Sequence, residues 1–352
     1  MPEPDDGIVP AGSPGAGGVP ATMRAVVLDG PGPATNLRVR ELPVPVPAPG
    51  WVRIRVRAFG LNHSELMTRL GMSGDAVAFP RVLGIEAVGE VDLDTTGALS
   101  PGTRVAAMMG GMGREYDGGY AQYTCVPAGQ VSAFDSDLDW GTIGAVPEML
   151  QTAYGSLTTG CDGRPGQSLL VRGGTTSVGM ALAVLAKQRG MTVLATTRRP
   201  AGADRLAAVG VDHVVIDDGD VAGRVRRLVP GGVDCAVELI GATTLRDTVR
   251  ALRRGGPGRP GGVCCFTGMV SHEWSVPDFY PIDFLPNGVR LTAYSGEAAD
   301  LPAEVLQRFL DDAAAGRVGV PVGRVMSLDE VPEAHQMLED GTGGGKIVII
   351  TG

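Results

Sequence analysis

The chain reads Val171-Arg172-Gly173-Gly174-Thr175-Thr176-Ser177-Val178-Gly179 directly after an apolar run and directly before a helical pattern. Residues 168–171 predict a strand, and residues 177–189 predict a helix that opens from the glycine turn. Such a turn suits a dinucleotide pyrophosphate, because glycines let the backbone approach the phosphates and the first helical turn offers unpaired N–H groups. We therefore expect a dinucleotide here. A plain glycine turn is the alternative, since glycine makes up 54 of the 352 residues.

The next predicted strand, residues 192–196, runs into Thr197, Arg198 and Arg199. In dinucleotide-binding folds the end of this strand lies beside the adenosine ribose, where an acidic residue binds the 2′-hydroxyl of NAD. A guanidinium suits the 2′-phosphate of NADP instead. The basic strand end therefore predicts NADP(H), with Thr197 and Arg198 at the phosphate.

Composition excludes several classes of function. The 352 residues, 43% of them hydrophobic, are enough for two domains with their own cores. A formal net charge of −9 argues against a nucleic-acid-binding protein, which usually carries an excess of basic residues. No apolar run approaches the length of a membrane span, no signal-peptide pattern is present, and the five cysteines form no Cys-x-x-Cys pair. We expect a cytoplasmic protein that binds neither nucleic acid nor membrane.

The order of predicted elements divides the chain. Residues 1–22 are mostly Pro, Gly, Ala and acidic residues, which predicts a disordered tail. Residues 23–146 read as strands separated by Pro and Gly turns, which is typical of a β-rich domain. Residues 147–294 alternate strands with helices, which predicts a doubly wound parallel sheet in an α/β fold. A helix is expected over residues 143–158. Residues 295–352 can return to complete the first domain.

Several further stretches resemble the medium-chain dehydrogenase/reductase superfamily, in its zinc-free, quinone oxidoreductase-like branch. Besides the glycine turn, they are FGLNHSE (59–65), FPRVLGIEAVGEV (79–91), PGTRV (101–105), GGYAQY (118–123) and GKIV (345–348). The resemblance implies a GroES-like catalytic domain with the returning segment 295–352, a Rossmann cofactor domain, and a cleft between them for the nicotinamide. It also implies a homodimer formed through edge strands near residues 289–294.

The resemblance also bears on a catalytic metal. Zinc-containing relatives hold the ion with a Cys, a His and a second Cys or an acid, and these positions correspond here to Asn62, Ile85 and a residue near Glu148. Zinc requires about three protein ligands of nitrogen, sulfur or carboxylate type. Ile85 offers none, and a neutral amide is a poor ligand. We therefore expect no metal, and without a Lewis acid ordinary alcohol oxidation is not expected.

The remaining chemistry is hydride transfer from NADPH to an electrophilic acceptor, a quinone or an α,β-unsaturated carbonyl. The resemblance implies that Asn62, His63 and Ser64 lie beside the nicotinamide. The Asn62 amide is a candidate donor to the acceptor oxygen, Ser64 a candidate proton relay, and His63 a proton donor that titrates near neutrality. Asn62 or Ser64 is equally expected as a helix cap, because both residue types are common caps.

The expected cofactor residues cluster at strand ends, outside which ligands of doubly wound sheets bind. They are Gly174, Thr175, Ser177, Val178 and Gly179 at the pyrophosphate, Thr197 and Arg198 at the 2′-phosphate, and Ile240, Thr267 and Gly268 at two later strand ends. Many relatives carry a lysine at the position of Gly202, and here Arg199 or Arg205 is expected to replace it.

Three functions remain open at this point. The leading one is an NADPH-dependent quinone or enone reductase. A biosynthetic reductase dedicated to one intermediate has the same sequence features, because a fold does not specify a substrate. An NADPH-binding sensor or scaffold without turnover is the third.

Overall fold

A computed structural model describes residues 18–273 and 275–352 of the chain. Most of the predicted tail, residues 1–17, lies outside the described residues. The first strand begins at Thr22, one residue earlier than the sequence pattern indicates.

The first part of the chain is dominated by strands. Its elements are β1 (Thr22–Leu28), β2 (Leu37–Pro43), β3 (Trp51–Gly60), α1 (His63–Arg69), β4 (Arg81–Val82), β5 (Glu86–Asp94), β6 (Arg104–Met108), β7 (Tyr123–Pro127), β8 (Val131–Ala133), α2 (Trp140–Ile143) and α3 (Pro147–Gly155).

Strands and helices alternate in the second part. Its elements are β9 (Ser168–Arg172), α4 (Ser177–Gln188), β10 (Thr192–Thr197), α5 (Ala203–Ala208), β11 (His213–Ile216), α6 (Val221–Leu228), β12 (Cys235–Glu238), α7 (Ala242–Ala251), β13 (Val263–Phe266), α8 (Pro281–Phe284), β14 (Arg290–Ala293), α9 (Ala303–Ala314), β15 (Val322–Ser327), α10 (Val331–Glu339) and β16 (Lys346–Ile350).

The β-rich part contains two sheets. Strands β2, β1 and β4 form a small sheet with β2 at its edge, where its terminal Pro43 needs no ladder partner. The larger sheet has the order β15-β16-β3-β5-β6-β8, with β7 also paired to β3. Strand β16 runs antiparallel to β3, with Val348 opposite Gly60, so the last strand lies within this larger sheet.

Strands β9 to β14 of the second part form a six-stranded parallel sheet of order β11-β10-β9-β12-β13-β14. Its central strand β9 is apolar on both faces, as expected for a sheet covered by helices on both sides, and Leu169, Leu170 and Val171 are fully buried. The chain reverses its direction of winding between β9 and β12, the point where such sheets bind ligands. The predicted architecture, a β-rich domain beside a doubly wound parallel sheet, is confirmed.

The helix predicted over residues 143–158 is wrong as a single element. Helix α2 ends at Ile143 and α3 begins at Pro147. Pro147 has no N–H to donate to the carbonyl of Ile143, so one continuous helix cannot form there. After Gly155 the chain widens into a π-helical turn, Ser156–Gly160, in which hydroxyls of Ser156 and Thr158 donate to carbonyls four residues earlier.

The large sheet and the parallel sheet share a continuous apolar core. Ala58 and Val88 of the large sheet belong to the same cluster as Leu169 of the parallel sheet, with α3 and α4 packed between the two sheets. None of the helices in the described part of the chain combines the length and the apolarity that crossing a membrane requires. The shared core fixes the position of the cleft between the two parts.

Candidate active site

A cleft of about 960 Å³ opens at the carboxyl ends of the parallel strands. One wall comes from the glycine turn and from the ends of β10 and β13. The facing wall comes from the start of α1, the loop after β6, and residues 337–347. Its size suits an organic cofactor and a small acceptor.

The glycine turn forms a cradle at the start of α4. Thr176 caps this helix, and its Oγ1 accepts a hydrogen bond of 3.0 Å from the N–H of Gly179. The N–H groups of Ser177 and Val178 belong to the first turn, which has no acceptor within the helix. Both residues line the cleft, as does Thr175. These groups fit a pyrophosphate.

Two glycines of the turn serve packing rather than the cleft surface. A Cβ on Gly174 would lie 2.7 Å from the Cβ of Ala195, and one on Gly179 would lie 2.5 Å from the carbonyl oxygen of Gly173. Real Cβ atoms do not approach so closely, so the turn needs glycine at both positions. They act on the cofactor site by letting the turn fold tightly.

The expected cofactor residues at the two later strand ends also differ in whether they line the cleft. Thr267 and Gly268 line the cleft. Ile240 does not, although its neighbour Leu239 does. The Ile240 N–H donates to Glu238 at 2.7 Å, and a Cβ on Gly173 would meet its Cδ1 at 2.9 Å. Ile240 therefore packs behind the glycine turn, because its backbone is turned toward the buried carboxylate of Glu238.

The far end of the cleft carries positive charge. Thr197, Arg198, Arg199 and Arg205 line it beside Gly202. Within residues 18–273 and 275–352, none of these guanidinium groups forms an ion pair, and Arg205 contacts only the sulfur of Met180, at 3.6 Å. Three unneutralised cations in a protein of net charge −9 create a local anion site. This end fits a 2′-phosphate.

Gly202 is packed against Thr197. A Cβ at position 202 would lie 2.3 Å from the Oγ1 of Thr197, so a lysine there would require the Thr197 side chain to move. Arg199 and Arg205 line the cleft beside Gly202.

The opposite end of the cleft is organised by a buried ammonium group. Lys346 is only 4% exposed, and its Nζ lies 2.9 Å from Glu86 Oε1 and 3.3 Å from Glu148 Oε2. It also donates to Oδ1 of Asn62. Although burial by itself lowers the pKa of Lys346, attraction to the two carboxylates raises it overall. The side chain is therefore charged.

The side chain of Asn62 is fully engaged. Its Nδ2 donates to Glu86 Oε1 at 3.1 Å and to Glu65 Oε1 at 3.4 Å, while its Oδ1 accepts from Lys346. Asn62 is also the N-cap of α1, with its backbone N–H donating to Glu65. The geometry does not support the expectation that this amide binds the acceptor, because both of its hydrogens already meet carboxylates. The alternative, a capping role, describes Asn62 better.

Glu65 is a site residue that the sequence analysis missed. It is 2% exposed and accepts from the N–H of Ile85 at 3.0 Å. Burial raises the pKa of Glu65 to about 7, with the Ile85 hydrogen bond and Lys346 acting in the opposite direction. Its position three residues after the N-cap Asn62 is that of a capping box, and this was the available signal.

His63 and Ser64 lie on the cleft wall. Burial, then repulsion from His272 and Lys346, lowers the pKa of His63 to about 4. The expectation that His63 titrates near neutrality is therefore wrong, because its charged form is poorly solvated and faces other cations. The Ser64 hydroxyl accepts from the guanidinium of Arg114, which leaves its own hydrogen for another partner.

The substrate end of the cleft is otherwise rich in methionine. Met67, Met72, Met109, Met269 and Met337 all line it. By contrast, Met108 and Met112 are buried in the core, so only Met109 of the methionine-rich segment after β6 faces the cleft. In the part of the chain that the structure describes, no group of three His, Cys, Asp or Glu side chains is arranged to hold a metal ion.

Comparison with known proteins finds two family models on this chain. The alcohol dehydrogenase GroES-like domain matches residues 48–136, and the zinc-binding dehydrogenase model matches residues 209–349. The first covers most strands of the large sheet, and the second covers strands β11 to β14 of the parallel sheet together with most of the returning segment.

Individual proteins are similar over most of their length. Human quinone oxidoreductase is 26% identical over 85% of this chain and 88% of its own. The structure of mycobacterial Rv1454c complexed with NADPH has a TM-score of 0.80 at 26% identity, covering 94% of this chain and all 100% of the other. A structure described as an NAD-dependent alcohol dehydrogenase has a TM-score of 0.82 at 26% identity, with 94% and 100% covered.

Proposed function

The chain belongs to the medium-chain dehydrogenase/reductase superfamily, on its quinone oxidoreductase-like side, and from this we propose that it reduces a quinone or an α,β-unsaturated carbonyl with NADPH and without zinc. The observation that carries the proposal is the Lys346 ammonium, which lies among Asn62, Glu86 and Glu148.

The ligand set supports a mechanism without zinc. Two of the three residues at the positions of the family's zinc ligands, Asn62 and Glu148, already contact Lys346, and Ile85 has no ligand atom. A dication placed there would meet the ammonium charge at close range in a poorly solvated site, where repulsion is strong. Lys346 therefore supplies the positive charge that balances the carboxylates of Glu86 and Glu148.

The chain's residues fit NADPH, which supplies a hydride when bound. The N–H groups of Ser177 and Val178 would hold the pyrophosphate. Arg198, with Arg199 and Arg205 beside it, would hold the 2′-phosphate. Thr267 and Gly268 line the cleft directly after β13, on the side of the parallel sheet. The unpaired guanidinium groups favour NADP(H) over NAD(H). The two similar structures differ on this point, since one is complexed with NADPH and the other is described as NAD-dependent.

The acceptor side needs a hydrogen-bond donor, because reduction places negative charge on the acceptor oxygen. The Ser64 hydroxyl is the donor we assign, since its hydrogen is uncommitted and it lies on the cleft wall. His63 is neutral and contributes at most an N–H hydrogen bond. Asn62 is a positioning residue that links α1 to Lys346 and Glu86.

Three broader expectations accompany this proposal. We retain residues 23–146 with 295–352 as the catalytic domain and 147–294 as the cofactor domain. Strand β14 forms the edge of the parallel sheet, which is where we propose that two copies pair. The free cysteines agree with a cytoplasmic location.

The test is NADPH consumption under anaerobic conditions with a panel of quinones, enones and aldehydes. We expect turnover with quinones or enones and none with simple aldehydes. NADPH binding, followed by fluorescence, without turnover on any acceptor would instead favour a sensor or scaffold.

A further inference from the structure

One guanidinium group in the cleft is not explained by the cofactor. Arg114 lies in the loop after β6, on the cleft wall that faces the glycine turn, and donates to the Ser64 hydroxyl at the start of α1. Its side chain is exposed. Across the described residues, no carboxylate pairs with it. An uncompensated positive charge therefore faces the substrate end of the cleft.

The other charges that line the cleft have partners or a clear purpose. Arg198, Arg199 and Arg205 lie together at the end of β10, where the 2′-phosphate fits. Lys346 is neutralised by Glu86 and Glu148. Among the described residues that line the cleft, Glu148 is the sole carboxylate. Arg114 is thus the cation for which neither the protein nor the adenosine end of the cofactor provides an anion.

The residues around Arg114 indicate the chemistry of the acceptor that would bind there. Met67 lies one helical turn after Ser64 on the same face of α1, and Met109 precedes Arg114 in the same loop. Methionine side chains adapt to apolar bodies of varied shape. A guanidinium binds carboxylate or phosphate through two parallel hydrogen bonds. Together they favour an acceptor with an apolar body and one anionic group.

We propose that Arg114 binds a carboxylate or phosphate carried by the acceptor, so that the enzyme prefers anionic enones or quinones to neutral ones. This inference rests on the proposed reductase activity. Arg114 acts as a specificity-determining residue, and its contact with Ser64 holds the anion site next to the hydroxyl that we assign to the acceptor oxygen.

The test compares acceptors that share one reactive enone and differ in a remote terminal group: a carboxylate, a phosphate, and the methyl ester of the carboxylate. Wild type should have a higher kcat/KM for at least one anionic acceptor than for the ester. Arg114→Gln should lower kcat/KM for that acceptor about 10- to 100-fold, the usual worth of a charged hydrogen bond, and change the ester less than about twofold. Arg114→Lys should retain part of the preference.

Arg308→Gln is the matched control, because Arg308 is exposed on α9, does not line the cleft, and its loss changes the net charge equally. It should leave all three acceptors unchanged. Comparison of the carboxylate acceptor with the phosphate acceptor shows which of the two anions Arg114 binds.

Two results would overturn the inference while the reductase proposal stands. One is equal wild-type turnover of charged and neutral acceptors. The other is an Arg114→Gln variant with a raised KM for NADPH and equal losses on all acceptors, which would assign the guanidinium to the cofactor. If wild type binds NADPH and reduces neither these enones nor any quinone, the reductase proposal itself fails.

Discussion

The Nζ atom of Lys346 lies 2.9 Å from the Oε1 atom of Glu86, and both side chains are buried. Lys346 begins the last strand, β16, whereas Glu86 begins β5, and strand β3 separates the two strands in the sheet. The ion pair therefore joins the returning segment to β5 within the large sheet. It also connects to the helix α1 through Asn62, so the start of that helix is fixed from two directions.

Removing the ammonium should destabilise the protein strongly. Lys346→Met leaves the carboxylates of Glu86 and Glu148 buried without a counterion, and loss of one partner of a buried pair typically costs about 3–5 kcal/mol. Chemical unfolding followed by circular dichroism measures the loss. The double variant Lys346→Met/Glu86→Gln should recover part of it, since one of the uncompensated charges is then removed.

Lys187 provides the control, because it is the only other lysine in the chain and pairs with Asp212 at the surface. Lys187→Met should cost less than about 1 kcal/mol, as is usual for exposed pairs. Equal losses in the two lysine variants would show that the buried cluster has no special role in stability.

The basic end of the cleft should govern the choice of cofactor. Arg198→Ala removes a charged hydrogen-bond donor from the 2′-phosphate, so the KM for NADPH should rise about tenfold or more while the KM for NADH changes little. Steady-state kinetics with both cofactors measures this. Arg227→Ala, an exposed arginine on α6, should change neither value. Equal use of NADPH and NADH by wild type would contradict the assignment.

The glycine turn should not tolerate a methyl group at position 174. Gly174→Ala places a Cβ 2.7 Å from that of Ala195, in a buried region without room to shift. Overpacking of this kind costs roughly 1–3 kcal/mol, and the displaced turn should also weaken NADPH binding. Gly231→Ala is the control, since nothing lies within 4 Å of its Cβ position. Thermal unfolding with and without NADPH separates the two effects.

Acid should destabilise the protein through His63. The folded-state pKa of about 4 is below the usual value of 6.5, so between these pH values the unfolded chain binds a proton that the folded chain does not. The free energy of unfolding therefore falls as the pH drops through this window, by at most about 1.4 kcal/mol per pH unit. Glu65 opposes this trend, because its raised folded-state pKa favours the folded chain at lower pH.

Comparing variants isolates the contribution of His63. His63→Gln should show a shallower loss of unfolding free energy than wild type between pH 6.5 and 4.5. His213→Gln, which changes an exposed histidine on β11, should follow wild type. Parallel curves for His63→Gln and wild type would mean that the pKa of His63 is the same in the folded and the unfolded chain.

Local patterns predicted the parts of the fold and site that depend on neighbouring residues. The turn before α4 and the basic end of β10 are readable from a few consecutive positions, whereas the missing ligand at Ile85 is implied by the family resemblance of the stretch around it. The position of Lys346 is not, because an isolated lysine in an apolar strand carries no sign that β16 pairs with β3 beside Asn62. The state of His63 was also missed, since burial and the charges of His272 and Lys346 come from distant segments.

The surroundings of Ile240 were not predictable from neighbouring residues either. Its position after β12 suggested a cofactor contact, but its N–H donates to the buried carboxylate of Glu238 and the residue does not line the cleft. By contrast, the break in the helix predicted over residues 143–158 could have been predicted, because Pro147 has no N–H to donate and this is visible in the sequence.

The most direct test of the zinc-independent mechanism is the zinc content of the purified protein, measured together with anaerobic NADPH oxidation by a quinone before and after dialysis against a chelator. The Lys346 cluster predicts no stoichiometric zinc and an unchanged rate after dialysis. One bound zinc ion per chain, with a rate that is lost on chelation and restored by added zinc, would contradict the account.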